Sequence, residues 1–306
     1  MMEILQIKNL SKQFGDLKVI NDLSFTVPEH SVFGFIGKNG AGKTTTMKMI
    51  LGFLAPTRGE IYVCNNKVTY GNTRTNRYMG YLPDVPEFYG YMNPKEYLRL
   101  CGDITGLGRE QINKRAEELL VMVGLDGINR RIRGFSRGMK QRLGIAQALL
   151  NEPRLLICDE PTSALDPVGR KEILDILSYA KEKTTIIFST HILSDVERIC
   201  DRIGILNEGK LALEGTIAQV RDCNRKDVIE VELAGVQAIE PLLQDIKKFP
   251  FVIEAAASGN RLDIQLERAQ VNGKQILEYL SKEELCVLRY EIMEPSLEHV
   301  FLEVAG

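Results

Sequence analysis

The densest chemistry in the chain lies in the run "GKNGAGKTT", residues 37–45. Gly37, Lys38, Asn39, Gly40, Ala41, Gly42, Lys43 and Thr44 satisfy the spacing G-x-x-x-x-G-K-[ST], and Thr45 follows. Glycines at this spacing let successive backbone N–H groups converge on a bound phosphate. Lys43 reaches the β- and γ-phosphates, and the Thr44 hydroxyl is placed to bind Mg²⁺. A second cluster is "LLICDE", residues 155–160. Its apolar run delivers Asp159 to a strand end, where a carboxylate can partner the same cation. Glu160 comes next, and a carboxylate there can polarise the water that attacks a γ-phosphorus. A third stretch, "GFSRGMKQRLGIAQALL" (134–150), opens with Ser136 at a helix N-cap position and Gly138 in the first turn. Such a helix start also offers N–H groups to an anion. One chain therefore carries two helix starts built for phosphate.

Chemistry of this kind needs a rigid frame. "SVFGFI" (31–36) reads as a buried strand that runs into the Gly-rich loop and then a helix from about Gly42 to Leu51. "PTRGEIYV" supplies a turn and another strand. "NPKEYLRLCGDITGL" opens with Asn93 as cap, Pro94 at the first helical position and Glu96 at the third. "REQINKRAEELLVMVGLDG" is a second amphipathic helix, closed by Gly124. The stretch from Ser136 makes a third, stopped by Pro153. Beyond it, continuous apolar strands ("RLLICDE", "TTIIFST", "DRIGILNEG") alternate with helices ("PVGRKEILDILSYAK", "ILSDVERIC"). That alternation predicts a parallel sheet covered on both faces.

From about Asp222 the rhythm changes. "KDVIEVELA", "FVIEAAA", "RLDIQLE" and "CVLRYEIM" read as strands, with "SGN" a hairpin turn between the second and third. "VQAIEPLLQDIKKF" and "GKQILEYLSKEE" read as helices, and "EPSLEHVFLEVA" as a closing one. The order β-α-β-β-α-β is that of the ferredoxin-like split motif. The expected division is an α/β domain over 1–221, with a helical insert at about 87–152, and a small α+β domain over 222–306.

With 306 residues and a net charge of −2, the chain has room for two domains and no electrostatic reason to bind nucleic acid. No apolar run approaches the eighteen or so residues of a membrane helix. Charges in "MMEILQIKNLSKQF" stand where a signal peptide needs its apolar core, so the expected location is cytoplasmic. The six cysteines are scattered without a CxxC pair and read as reduced thiols, and the three dispersed histidines argue against zinc.

Among phosphate-loop proteins, a GTPase would show N-K-x-D, whereas "NRKD" (224–227) has the wrong order. No Arg-rich lid of a small-molecule kinase is evident. Instead the chain carries Phe135-Ser136-Arg137-Gly138-Met139, "LLICDEPTSALDP" (155–167) and "FSTHIL" with His191. With the loop at 37–45, these marks stand in the order and spacing of one family. Over residues 1 to about 220 the chain resembles the nucleotide-binding subunit of ABC transporters.

That resemblance implies a P-loop NTPase cassette: a parallel sheet core with an antiparallel β edge and a helical insert. It implies ATP as substrate, Mg²⁺ as cofactor, and Lys43, Glu160 and His191 as the catalytic set, His191 contacting the γ-phosphate. Thr44 and Asp159 are implied as metal ligands. Phe14, in "SKQFG", fills the position that stacks on adenine. Ser136 and Gly138 bind the γ-phosphate of ATP held by another copy, and Asp166 belongs to the loop linking the two sites. Arg137 and Met139 depart from the usual Gly and Gln of the signature. In "MGYLPDVPEFY", Asp84 stands where the family usually has a Gln that touches Mg²⁺ and the attacking water. Asp can ligate Mg²⁺ through oxygen, but it is shorter, charged and no donor unless protonated.

A carboxylate at position 84 and the tail "MEPSLEHVFLEV" resemble the drug- and peptide-antibiotic-exporting branch, which includes bacitracin-resistance and lantibiotic-immunity types. The expectation is an ATPase that pairs on ATP, as a homodimer or paired cassette. It would drive a separately encoded integral membrane permease from the inner face of the cell membrane, with no nucleic-acid partner. The nucleotide motifs alone do not separate export from import. A soluble ABC-type ATPase acting on ribosomes or nucleic acid is disfavoured by the single cassette and the lack of heptads, zinc spacing and a basic patch.

Overall fold

The computed structural model describes residues 2–223, 227–234, 239–267, 269–283, 285–293 and 297–305, without the side chains of 222, 223, 270, 299 and 305. In chain order the strands and helices begin with β1 (Glu3–Phe14), β2 (Leu17–Pro28), β3 (Val32–Ile36), α1 (Lys43–Ile50), β4 (Arg58–Val63), β5 (Asn66–Lys67) and β6 (Met79–Leu82). The helical insert contributes α2 (Pro94–Thr105), α3 (Arg109–Met122) and α4 (Arg137–Leu149). Then follow β7 (Leu155–Asp159), α5 (Pro167–Ala180), β8 (Thr185–Thr190), α6 (Leu193–Ile199), β9 (Arg202–Asn207), β10 (Lys210–Thr216) and α7 (Ile217–Cys223). The last elements are β11 (Asp227–Leu233), α8 (Ile239–Ile246), β12 (Val252–Ser258), β13 (Arg261–Leu266), α9 (Ala269–Lys282), β14 (Val287–Met293) and α10 (Leu297–Ala305).

The chain divides into two compact units, Met1–Ile217 with Phe301–Gly306, and Ala218–Val300. The boundary expected after residue 221 falls inside α7, whose first residue ends the first segment.

In the first unit a six-stranded sheet has the order β10-β9-β3-β8-β7-β6. Its five strands from β9 to β6 are parallel, and β10 pairs antiparallel at the edge. β3, β7 and β8 are buried at every residue, which is why they read as continuous apolar runs. Register aligns their carboxyl ends: Ile36 lies beside Thr190, Asp159 beside Ser189, and Leu82 beside Cys158. Whatever follows these strands therefore emerges along one edge of the sheet, the place where open α/β sheets bind ligands.

A second, antiparallel sheet, β2-β1-β4-β5, packs on this one. Phe25 of β2 stacks on Phe33 and Phe35 of β3, with ring centroids 5.1 and 5.5 Å apart. The sequence pattern announces neither β1 nor β2. Register shifts along their pairing interrupt the two-residue alternation that would have marked them.

The helix starts follow their sequence signals. Asn93 accepts from Glu96 N at 2.9 Å while Glu96 Oε2 accepts from Asn93 N, a closed capping box. Helix α4 lies against β6 at close range. A Cβ on Gly80 would stand 2.2 Å from the Ala148 carbonyl oxygen, a backbone atom that cannot rotate away. Gly80→Ala is accordingly expected to cost about 1–3 kcal/mol of stability. Chemical denaturation checks this, and an unchanged midpoint would show that α4 can retreat freely.

In the second unit the sheet order is β12-β13-β11-β14, every pair antiparallel. With α8 and α9 inserted between strands, this is the β-α-β-β-α-β split motif. Ile229, Val231, Leu262 and Ile264 meet Leu242, Ile246, Ile276 and Leu280 in its core. Gly259 takes φ +62° in the turn between β12 and β13.

Candidate nucleotide site

The loop after β3 is shaped by close backbone approach. A Cβ on Gly37 would stand 2.7 Å from the Leu206 carbonyl oxygen. Gly42 has φ +109°, and a Cβ there would lie 2.4 Å from Ile20 Cδ1. Only glycine satisfies both demands. Lys38, Asn39 and Gly40 are exposed, Ala41 and Thr45 half-buried, and Lys43 is 6% exposed. The Lys43 ammonium spans the loop, donating to Gly37 O at 2.6 Å and lying 3.4 Å from Glu160 Oε1.

Next to it, Thr44 Oγ1 donates to Asp159 Oδ2 at 2.8 Å, and Ser189 Oγ donates to Asp159 Oδ1 at 3.0 Å. Asp159 is buried, so both of its oxygens are occupied and oriented. Glu160 is held in the left-handed region at φ +49°, with its N–H donating to Ser189 O at 3.0 Å. A non-glycine residue in that conformation is strained, and such strain concentrates at functional positions. It aims the Glu160 side chain between two partners. Oε2 lies 2.9 Å from His191 Nδ1, while Oε1 faces Lys43, is buried, and lacks a hydrogen-bond partner. The structure thus brings Lys43, Thr44, Asp159, Glu160 and His191 into one bonded cluster.

Ser136, Gly138 and Asp166 form a second group. Ser136 Oγ accepts from Met139 N at 3.2 Å and caps α4, as its position at the helix start suggested. Asp166 Oδ1 accepts from Gly169 N at 2.9 Å and caps α5. The atom nearest a Cβ on Gly138 is Leu165 Cδ2 at 3.9 Å, so the two helix starts lie side by side. Phe14, at the end of β1, is 47% exposed, with Lys12 Nζ 4.8 Å above its ring.

Asp84, expected beside the metal ligands, has other partners. Its carboxylate Oδ1 is 3.2 Å from Arg137 Nη2, and its carbonyl accepts from the fully buried Gln141 Nε2 at 2.6 Å. Asp84 therefore faces a cation on α4. Asp84 and Asp159 lie in one electrostatic neighbourhood all the same. Burial pushes the Tyr81 phenol up to about 12, helped by the Asp159 and Asp84 carboxylates. Tyr81, Ser189, Gln141 and the Arg137 side chain escape a sequence reading, because each acquires its partner across the sheet or from another element.

Thr44 and Asp159 suit a small hard cation that keeps its other positions for water and phosphate oxygens. Among the described residues no three His, Cys, Asp or Glu side chains gather into a metal-binding group, and no helix is long and apolar enough to cross a membrane.

Comparison with known proteins bears on this geometry. The ABC transporter family profile matches residues 20–163, and the profile described as ATP-binding protein DrrA1-3-like, C-terminal domain, matches 215–305. The uncharacterised ABC transporter ATP-binding protein YxlF of Bacillus subtilis (strain 168) is 36% identical over 303 residues, 98% of this chain and 99% of YxlF. The bacitracin transport ATP-binding protein BcrA of Bacillus licheniformis is 41% identical over 229 residues, 74% of each chain. A solved ATP-binding subunit of an ABC transporter superposes with a TM-score of 0.66 at 35% identity, covering 72% of this chain and 92% of that one. Likeness on this scale, along nearly the whole of YxlF, places the chain in the family of ABC transporter ATP-binding proteins, as an ATP-hydrolysing subunit.

Proposed function

We propose that two copies of this chain, or this chain and a paired cassette, close around two ATP molecules and drive a separately encoded membrane permease that exports a drug or peptide antibiotic. The observation that carries the catalytic part is the Glu160 carboxylate, set between Lys43 and His191. Its Oε1 faces only the Lys43 ammonium, 3.4 Å away, and becomes the base that takes a proton from water once Lys43 turns to the phosphates, while His191 holds Oε2 in place. Lys43 is the group that moves from Glu160 to the terminal phosphates when nucleotide enters the loop. Phe14, exposed at its strand end, is the adenine platform. Ser136, Gly138 and Asp166 are the surface that covers the second copy's ATP.

Thr44 and Asp159 are the residues that would hold Mg²⁺, which supplies charge neutralisation at the β- and γ-phosphates. Thr44→Ala is expected to raise the Mg²⁺ concentration for half-maximal turnover by roughly tenfold or more, since it also frees Asp159 to reorient. A Mg²⁺ titration of steady-state ATPase activity checks this, and an unshifted midpoint removes Thr44 from the metal site.

Transport of an antibiotic is supported by the likeness to BcrA, a bacitracin transport ATP-binding protein. Work on a separate permease would keep the chain at the inner face of the membrane. The test is a deletion strain, which should become more susceptible to peptide antibiotics and be restored by the wild-type gene but not by Glu160→Gln. Unchanged susceptibility with impaired uptake of a nutrient would turn the reading to import.

A further inference from the structure

We infer that β14 is a seam between two copies of this chain, pairing antiparallel with its own counterpart about a two-fold axis at Tyr290. β14 ends the sheet order β12-β13-β11-β14, and among the described residues no strand lies along its other side. Such an edge presents unpaired N–H and C=O groups, which proteins commonly guard with lysine, proline or a bulge. β14 reads Val-Leu-Arg-Tyr-Glu-Ile-Met, with neither lysine nor proline. Its register with β11 runs unbroken from Arg289 to Met293 and shifts only at Leu288. Leu288 is 61% and Ile292 43% exposed, large apolar side chains that the domain's own core leaves in water.

The strand is complementary to itself. A two-fold that keeps both copies' helices on one side of a continuous sheet sets residues of like parity opposite each other. Centred on Tyr290, it places Arg289 opposite Glu291 of the second copy, twice by symmetry. It also brings Leu288 toward Ile292 and Val287 toward Met293. Opposite charges and apolar side chains directly across strands are the pairs that stabilise a sheet. Centring one residue earlier or later sets Arg289 or Glu291 against its own counterpart, which repels. Charge therefore selects the register. Within one chain Arg289 and Glu291 hold each other, but both are about half exposed, and a pair so open to water exchanges readily. The opposite edge strand, β12, has Glu254 as its one charged residue and no cation to meet it. The seam uses none of the residues placed around the nucleotide, so it forms without ATP.

The test uses full-length chain without nucleotide in analytical ultracentrifugation. Seven residues of edge are a small contact, so the chain should be single at about 1 μM and largely paired at about 100 μM. Arg289→Glu and Glu291→Arg should each raise the dissociation constant about tenfold or more, because two attractive pairs become two repulsive ones. Mixed in equal amounts, the two variants should pair with each other as tightly as the wild type does. Each introduced charge then meets its opposite on the other chain. Arg289 also lies 3.8 Å from Glu230 Oε1, so thermal melting accompanies each variant to show that it is folded. Leu288→Lys, at an exposed position, is a second probe and should weaken pairing about tenfold as well. A wild-type chain that stays single at the highest concentration leaves the edge to some other protein's strand and overturns the inference. Variants that pair like the wild type overturn it too, as do folded variants that stay single when mixed. With no nucleotide present, none of these outcomes bears on the ATP-closed pair.

Discussion

Glu160→Gln is expected to cut ATP turnover by about a hundred- to ten-thousandfold while ATP binds as tightly as before or more so. The substitution keeps the size of the side chain and its reach to His191 Nδ1, 2.9 Å from Oε2. It removes the negative charge that attracts a proton from water. The backbone does not adapt to rescue the reaction, because φ +49° and the bond from Glu160 N to Ser189 O fix the side chain's origin. Lys43 gains from the change. Its ammonium no longer lies 3.4 Å from a competing carboxylate and is free to meet phosphate. Binding without hydrolysis should trap the closed pair, so the variant should sediment as a dimer in ATP where the wild type does not accumulate one. Phosphate-release assays and analytical ultracentrifugation read both effects. Turnover at the normal rate would place the general base elsewhere.

Ser136→Arg should lower turnover by about a hundredfold or more, the effect of losing a donor set at a transition state. On the paired reading proposed above, the lesion acts on the other copy's site. Within its own chain Ser136 caps α4, and losing that cap costs about 1 kcal/mol, too little to unfold the protein. The loop at 37–45 draws its bonds from Gly37, Asp159 and Glu160, so ATP binding to the same chain should persist. The decisive measurement is mixing. Ser136→Arg chains and Lys43→Ala chains, each inactive alone, should regain turnover together. In the mixed pair one site combines an intact loop with an intact helix start, and both lesions fall on the other site. Full activity of Ser136→Arg by itself would reduce residues 134–150 to an ordinary capped helix.

Part of this site is legible in the sequence. The phosphate loop, the Asn93–Glu96 capping box and the Ser136 cap all depend on residues within a few positions of each other. Their geometry is set by local torsions and by side chains reaching back to nearby N–H groups. The buried strands β3, β7 and β8 are legible for a related reason, since burial on both faces imposes an unbroken apolar run. The strands β1 and β2 are not, because bulges break their alternation. The second unit's strand order is likewise not local, though the succession of its elements is.

Sequence alone thus determined the family, the Asp159–Glu160 pair at the end of β7 and the helix starts at Lys43 and Arg137, because each is written in a short run with one workable backbone geometry. The tertiary structure alone decided who meets whom. Parallel register sets Ser189 against Asp159, the left-handed turn at Glu160 brings its carboxylate between Lys43 and His191, and packing of α4 beside β6 gives Asp84 to Arg137, 53 positions away. Contacts of that kind follow from the register and packing of whole elements, which are collective properties of the fold and leave no mark in the residues on either side.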